Sequence, residues 1–149
     1  MIPINLWEHQ NVIKTLYSRC VEQVCEKHKI TRMDLDILLF LANNPAFDTA
    51  TDIIEVRYLS KSQVSSSIKL LEQKGYLKKE YREGNRKTAH LKIQEGAEII
   101  ISDGRRAQAD FFRIMFWGLG TEELEQMKQC HLHILENIHR YMKEGKDDV

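Results

Sequence analysis

The sequence predicts a mainly helical fold carrying one small β-hairpin, and three observations lead there. Apolar residues recur at three- and four-residue steps through most of the chain, while glycine and proline, at seven and two of 149 residues, are scarce. A short helix from Lys61 to Lys74 is preceded by a serine that can cap it and followed by Gly75, suited to the left-handed residue that ends a helix. Directly after it, two short strand-like segments flank Glu83-Gly84-Asn85-Arg86, a turn in which Gly84 and Asn85 can take positive φ.

Residues 6 to 28 read as the first helix, with Leu6, Ile13, Leu16, Tyr17, Cys20, Val21 and Val24 as its apolar stripe. The stripe is broad for a helix with little around it, which predicts packing against the C-terminal helix or another subunit. Lys27-His28-Lys29 places positive charge at its C-terminal end, where the helix dipole favours it. The second helix runs from Thr31 to Ala42. Thr31 and Asp34 form a capping pair, Leu35, Leu38, Leu39 and Ala42 line a face, and Asn43-Asn44-Pro45 stops it. Thr49 and Asp52 cap a third helix from Ala50 to about Val56, and the link Arg57-Tyr58-Leu59 leads straight to Ser60. A short helix, a tight turn and a second capped helix make a helix-turn-helix.

In the helix after Ser60, Gln63 is placed to complete a capping box. Val64, Ile68 and Leu71 form the buried stripe; Ser62, Ser66, Lys69 and Gln73 face the other way, with Lys61, Gln63 and Ser65 beside them. Serine is a mediocre helix former, and the run Ser65-Ser66-Ser67 on a solvated surface is not what folding alone would select. Short hydroxyls and a terminal amide suit a face that approaches base edges or phosphates closely. An ordinary surface helix is the alternative. The next residues along the chain favour the first reading, since Tyr76–Arg82 reads as a strand and Lys87–Ile93 as its partner. A polar-faced helix running into a basic hairpin is the layout of a winged helix. Its helix enters a major groove while its wing reaches a backbone or minor groove.

From Gln94 to about Trp117 the pattern is helical again, with Ala97, Ile100, Ile101, Ala107, Phe111, Ile114 and Met115 as apolar positions. Gly104 is a weak spot in the middle, expected where another helix crosses closely. Gly118-Leu119-Gly120 breaks the chain, and Thr121 is placed to cap a last helix bearing Leu124, Met127, Leu135, Ile138 and Met142. That helix ends before the charged tail Lys146-Asp147-Asp148.

The length suits one domain, or a compact core with helical extensions. No apolar run is long enough for a membrane span and no leader-like pattern opens the sequence, so a cytoplasmic location is expected. Formal net charge is zero, yet Ser60 to Lys92 holds nine Lys and Arg (Lys61, Lys69, Lys74, Lys78, Lys79, Arg82, Arg86, Lys87, Lys92) against Glu72, Glu80 and Glu83. A local basic patch on a neutral chain is the electrostatic footprint of nucleic-acid binding.

The run Leu59-Ser60-Lys61-Ser62-Gln63-Val64-Ser65-Ser66-Ser67-Ile68-Lys69-Leu70-Leu71-Glu72-Gln73-Lys74-Gly75-Tyr76-Leu77 resembles the recognition helix and first wing strand of the MarR family of bacterial transcriptional regulators, in which Leu-Glu-x-Lys-Gly leads into the wing. Ile30-Thr31 to Leu41 is similar to that family's second helix, and Leu119-Gly120-Thr121-Glu122-Glu123-Leu124 to the start of its last. The resemblance spans essentially the whole chain as a single MarR-like unit. It implies a winged helix-turn-helix over about residues 30–93, flanked by helical dimerisation parts at 1–29 and 94–149. It further implies a homodimer on a pseudo-palindromic double-stranded DNA site with half-sites about one turn apart, and control by a small-molecule effector whose binding residues the sequence does not identify. The wing departs from the family pattern. Asn85-Arg86-Lys87 stands where Asp-x-Arg is usual, so the Asp that orients the groove-reaching Arg is replaced by an uncharged acceptor, and Lys87 cannot make a bidentate fork. Ile93-Gln94 stands where Leu-Thr usually comes after the wing.

The expected DNA-contacting residues are therefore Ser62, Gln63, Ser65, Ser66 and Lys69 for the groove. Lys61, Lys78 and Lys79 are expected on phosphates, with Asn85, Arg86 and Lys87 at the wing tip. Cys20, Cys25 and Cys130 fit neither a disulfide framework nor a zinc finger. Cys20 is read as a packing residue before a redox sensor, and Cys25 points about 140° away from it on the helix. Cys130 and His133 share a helical face, but a third ligand would have to come from His9, His28 or a partner subunit, so no metal is assigned. His90 on the second wing strand is placed either to touch phosphate or to pack. No cofactor is implied, and no phosphate loop, nucleophile motif or paired carboxylates point to an enzyme. The expectation is a DNA-binding regulator, most simply a repressor. Its rivals are a winged-helix module that docks an acidic protein, and a thiol or metal sensor of the same fold acting through Cys20 or Cys130.

Overall fold

Hydrogen bonds between residues three or four apart set the helix ends along the chain. In the computed structural model residues 5–57 and 59–144 are described; Tyr58 of the link after the third helix and the tail Lys146-Asp147-Asp148 lie outside the described residues. The elements are α1 (Leu6–His28), α2 (Arg32–Asn43), α3 (Ala50–Arg57), α4 (Lys61–Gln73), β1 (Leu77–Arg82), β2 (Asn85–Ile93), α5 (Glu98–Met115) and α6 (Thr121–Glu144). The mainly helical fold with, among the described residues, a single antiparallel hairpin is the one expected. Two compact units divide it, Met1–Phe111 and Phe112–Val149.

Within the first unit, Thr31 and Asp34 make a complete capping box on α2, and Thr49 and Asp52 exchange the same pair of bonds ahead of α3, at 3.1 and 3.0 Å. The box expected on α4 is half made. Ser60 Oγ accepts from the Gln63 amide at 3.2 Å, but the hydroxyl beside it is that of Ser62, at 3.4 Å. Gln63 thus leaves its side chain outward. Gly75 takes φ +75 after α4, as its place predicted, and the Tyr76 amide closes the end on Leu71 O at 2.9 Å.

α2 is the centre of this unit. Leu35, Leu38 and Leu39 are buried as expected, but so are Ile37, Phe40 and Leu41, so the helix is apolar almost all round. The single-face expectation fails because neighbours cover α2 on several sides: α1, α4 and β2 pack on it, and Gly104 of α5 lies against Leu35 and Leu39. A Cβ at Gly104 would stand 3.0 Å from Leu35 Cδ1 and from Leu39 Cδ2. The glycine is the close crossing the sequence suggested. α5 itself starts later than expected, after a single 3₁₀ turn at Glu95–Ala97.

Along α1 the stripe divides. Val21 and Val24 are buried, whereas Leu6, Trp7, Val12 and Ile13 are exposed. Between α1 and α2 the Tyr17 hydroxyl donates to Asp36 Oδ1 at 3.2 Å, and burial raises the Asp36 carboxyl above its ordinary range despite Arg57 and Arg32 nearby. At the C-terminal end of α1, Lys27 and His28 reach Asp103 of α5 at 2.7 and 2.8 Å.

In the second unit, α6 begins differently from expectation. Gly120 O accepts the first helical bond from Leu124, and Glu123 Oε2 accepts from the Gly120 amide at 2.8 Å, so Gly120 and not Thr121 sits at the cap. A flexible glycine with an acidic residue three places on satisfies the same amide that a threonine box would. Along α6, Met127, Leu132, Ile134, Leu135, Ile138, Tyr141 and Met142 are exposed.

Candidate nucleic-acid interface

All eleven residues expected at the interface are exposed. On α4 the division of faces follows the 100° period: Val64, Ser67, Ile68 and Leu71 are buried, and Lys61, Ser62, Gln63, Ser65, Ser66 and Lys69 face outward. Ser67 is the correction. It stands at i+3 from Val64 and i+4 before Leu71, within the buried stripe, and it is 6% exposed. Its hydroxyl donates to Asp34 Oδ1 of α2. The serine run therefore supplies two outward hydroxyls and one inward.

The same Asp34 carboxyl accepts the Thr31 amide on its other oxygen at 2.9 Å. Thr31, Met33, Asp34, Ser62, Gln63, Ser66, Ser67 and Leu70 line a groove of about 460 Å³ between α2 and α4, at whose floor this pair sits. Sequence reading assigned Asp34 only its capping role. The period of the stripe was the available signal for Ser67.

The hairpin pairs Leu77 with Ile93, Lys79 with Leu91 and Tyr81 with Ala89, so alternation puts Lys78 and Lys79 on opposite faces. Lys79 lies on the side of the buried Leu77 and Leu91 and pairs with Glu72 of α4 at 2.8 Å. Lys78 carries no such pair among the described residues. At the tip the turn is tighter than expected. Gly84 takes φ +78, but Asn85 does not take positive φ, and Arg82 faces Asn85 across a register shift. Asn85 is instead the first residue of β2, and its Oδ1 accepts the amides of Lys87 and Thr88 at 3.0 and 3.3 Å. The side chain so occupied orders the backbone of the tip, leaving Arg86 and Lys87 exposed on it.

Two further contacts brace the hairpin. His90 Nδ1 lies 2.7 Å from Asp48 Oδ1, and the Leu91 amide donates to Asp48 O at 2.7 Å, tying β2 to the segment before α3. The His90 ring is thus engaged within the fold. Lys74, after α4, donates to Lys29 O at 2.6 Å, where Lys29 is the one non-glycine residue with positive φ among those described. Neither contact is legible in the sequence, because the partners lie more than forty residues apart.

A polar helix face and a braced basic hairpin have the form of a winged helix-turn-helix, and the model of the MarR family matches residues 28–87. The matched segment is the one whose residues carry the resemblance to the MarR family. The MarR-type fold extends beyond the matched residues. A crystal structure described as a MarR family transcriptional regulator from Listeria monocytogenes, complexed with 26mer DNA, is similar over 100% of this chain and 99% of that one, with TM-score 0.82 and 18% identity. The S. aureus MepR–DNA complex is similar over 91% and 96%, with TM-score 0.75 and 15% identity. The reduced form of MarR from E. coli is similar over 89% and 97%, with TM-score 0.68 and 14% identity. At these identities the likeness is one of fold. No curated protein sequence matches the chain.

The side chains considered for other chemistry are distributed through this MarR-type fold. Cys20 and Cys25 are half-buried, and burial, then Asp36 and Asp34, push the Cys25 thiol up. Cys130 is exposed on α6. Among the described residues no three His, Cys, Asp or Glu side chains gather as a metal site would require. None of the described helices is long and apolar enough to cross a membrane.

Proposed function

We propose that the chain is a sequence-specific, double-stranded-DNA-binding transcriptional regulator, working in the cytoplasm as a homodimer on a pseudo-palindromic operator. The observation that carries the proposal is the outward face of α4, where Ser62, Gln63, Ser65, Ser66 and Lys69 are all exposed, next to a hairpin that exposes Arg86 and Lys87. Short polar side chains let a helix backbone come close to base edges, and cations on either side neutralise phosphates. Lys61 and Lys78 are assigned to phosphate. Lys79 is assigned there with its charge shared by Glu72. Asn85 is assigned to ordering the tip that presents Arg86 and Lys87. Residues 30–93 carry DNA binding in this reading, and residues 1–29 and 94–149 carry dimerisation.

Support for the homodimer comes from apolar side chains exposed on α1 (Leu6, Trp7, Val12, Ile13) and along α6 (Leu132, Ile134, Ile138, Tyr141), more than an isolated chain leaves in water without a use. Repression, relieved by a small-molecule effector, completes the reading; the MarR resemblance is its support. The chain is read as a regulator without catalytic chemistry or a cofactor.

Selection from a randomised duplex pool by the purified protein tests the proposal. An enriched inverted repeat with half-sites about one helical turn apart is the expected result. Retention without sequence preference would overturn it and favour a module whose basic face meets an acidic protein.

A further inference from the structure

Three features of the molecule reach beyond the proposed interface residues: the cleft at Cys20, Lys27 and Arg106, the clasp of His90 on Asp48, and the buried pair Asp34–Ser67. The third carries furthest, because it joins the helix proposed to read DNA to the centre of the core through a directional bond. The rest of that contact is apolar. Val64, Ile68 and Leu71 are buried in the core on which α2 and α4 meet, and apolar attraction of this kind has little directionality, so packing alone leaves α4 free to roll by a few degrees.

We infer that Asp34 and Ser67 are positioning residues for DNA recognition: their hydrogen bond sets the rotation of α4 about its own axis, and so decides which atoms of Ser62, Gln63, Ser66 and Lys69 meet the base edges. This rests on the proposed role of α4 as the reading helix. Asp34 is 1% exposed and Ser67 6%. The carboxyl is itself immobile, because its second oxygen holds the Thr31 amide in the capping box of α2. An anchor fixed at both oxygens transmits the orientation of α2 to α4. Side-chain ends stand about 5–6 Å from a helix axis, so a roll of 20° displaces them by about 2 Å. That distance is enough to break a hydrogen bond, whose tolerance is a few tenths of an ångström. Phosphate contacts from flexible lysines survive such a shift, whereas base contacts do not. A buried polar pair of this kind specifies one packing arrangement among several of similar apolar burial.

The test compares the wild-type protein with Ser67→Ala and Ser67→Thr. Each is measured against a duplex selected by the wild type from a randomised pool and against a scrambled duplex of the same composition. Failure of the wild type to select any sequence would remove the DNA-reading role itself and would show before any variant is made. Given selection, Ser67→Ala is expected to keep its helical circular dichroism and its affinity for the scrambled duplex. It is expected to lose about ten-fold or more in the selected-to-scrambled ratio. Ser67→Thr, which retains the hydroxyl, is expected to keep the ratio. If Ser67→Ala does not fold, Asp34→Asn/Ser67→Ala removes the same bond while leaving a neutral amide able to cap Thr31, and the ratio is read on that protein. An unchanged ratio in a folded variant, or an equal loss on both duplexes, overturns the inference.

Discussion

Gly104 of α5 and Leu39 of α2 are packed so closely that a Cβ on the glycine would stand 3.0 Å from Leu39 Cδ2, with Leu35 Cδ1 equally near. Both leucines are among the most deeply buried side chains, so neither has room to turn away. Gly104→Ala gains up to about 1 kcal/mol of helix propensity but overpacks the crossing by roughly 1–3 kcal/mol. Net destabilisation of about 1 kcal/mol is expected in urea unfolding. A variant as stable as the wild type would mean that α2 and α5 are not held at this separation.

Acid stability is tied to Asp103. Hydrogen bonds from Lys27 and His28 lower its carboxyl from 3.8 to about 2. A carboxyl whose folded pKa lies below its unfolded one contributes stability that is fully present above about pH 4 and is lost as pH falls through about 2. Asp36 works in the opposite sense, since burial raises it and protonation then favours the folded chain. Asp103→Asn should therefore flatten the fall in unfolding free energy between pH 4 and 2, measured by denaturant titration at each pH. A slope identical to that of the wild type would detach Asp103 from acid unfolding.

Lys78 and Lys79 are adjacent in sequence but lie on opposite faces of the hairpin, with Lys79 held by Glu72. A lysine whose charge is already balanced releases fewer counterions on meeting a phosphate. Lys78→Ala should reduce the slope of log K against log salt by about 0.9 per lost contact, and Lys79→Ala by less. Equal reductions would show that the Glu72 pair opens on DNA.

The wing tip gives a separate expectation. Replacing Arg86 and Lys87 together by Ala should weaken binding to every duplex and flatten its salt dependence by up to about two units of that slope. Affinity unaltered at low salt would take the tip out of the interface.

Ser66 is exposed at the middle of the outward face of α4. Ser66→Phe should leave stability within about 0.5 kcal/mol and cut affinity for the selected duplex by about ten-fold or more, as read by fluorescence anisotropy. Full retention of that affinity would remove Ser66 from the reading surface.

The sequence by itself determined what short-range forces decide. The helix starts at Thr31, Thr49 and Ser60, the left-handed Gly75, the polar face of α4 and the position of the hairpin each depend on residues within a few places of one another. Hydrogen bonds at three- or four-residue spacing and the helical period leave their mark directly in the order of residues. Gly104 was legible for a related reason, since a glycine inside a helix needs a close neighbour to explain it.

Only the tertiary structure decided the rest. The helical period turns Ser67 inward, but only the packing of α4 on α2 gives its hydroxyl a partner, Asp34, thirty-three residues earlier. Lys79 found Glu72, Lys74 found Lys29 and His90 found Asp48 through the way α4 and the hairpin pack within the first unit. The packing also decided that α2 would be covered on nearly every side and that α1 would divide into covered and exposed halves. A side chain's chemistry states what it can bond. Which partner it meets depends on the surfaces that burial of apolar area brings together, and those partners are distant in the chain.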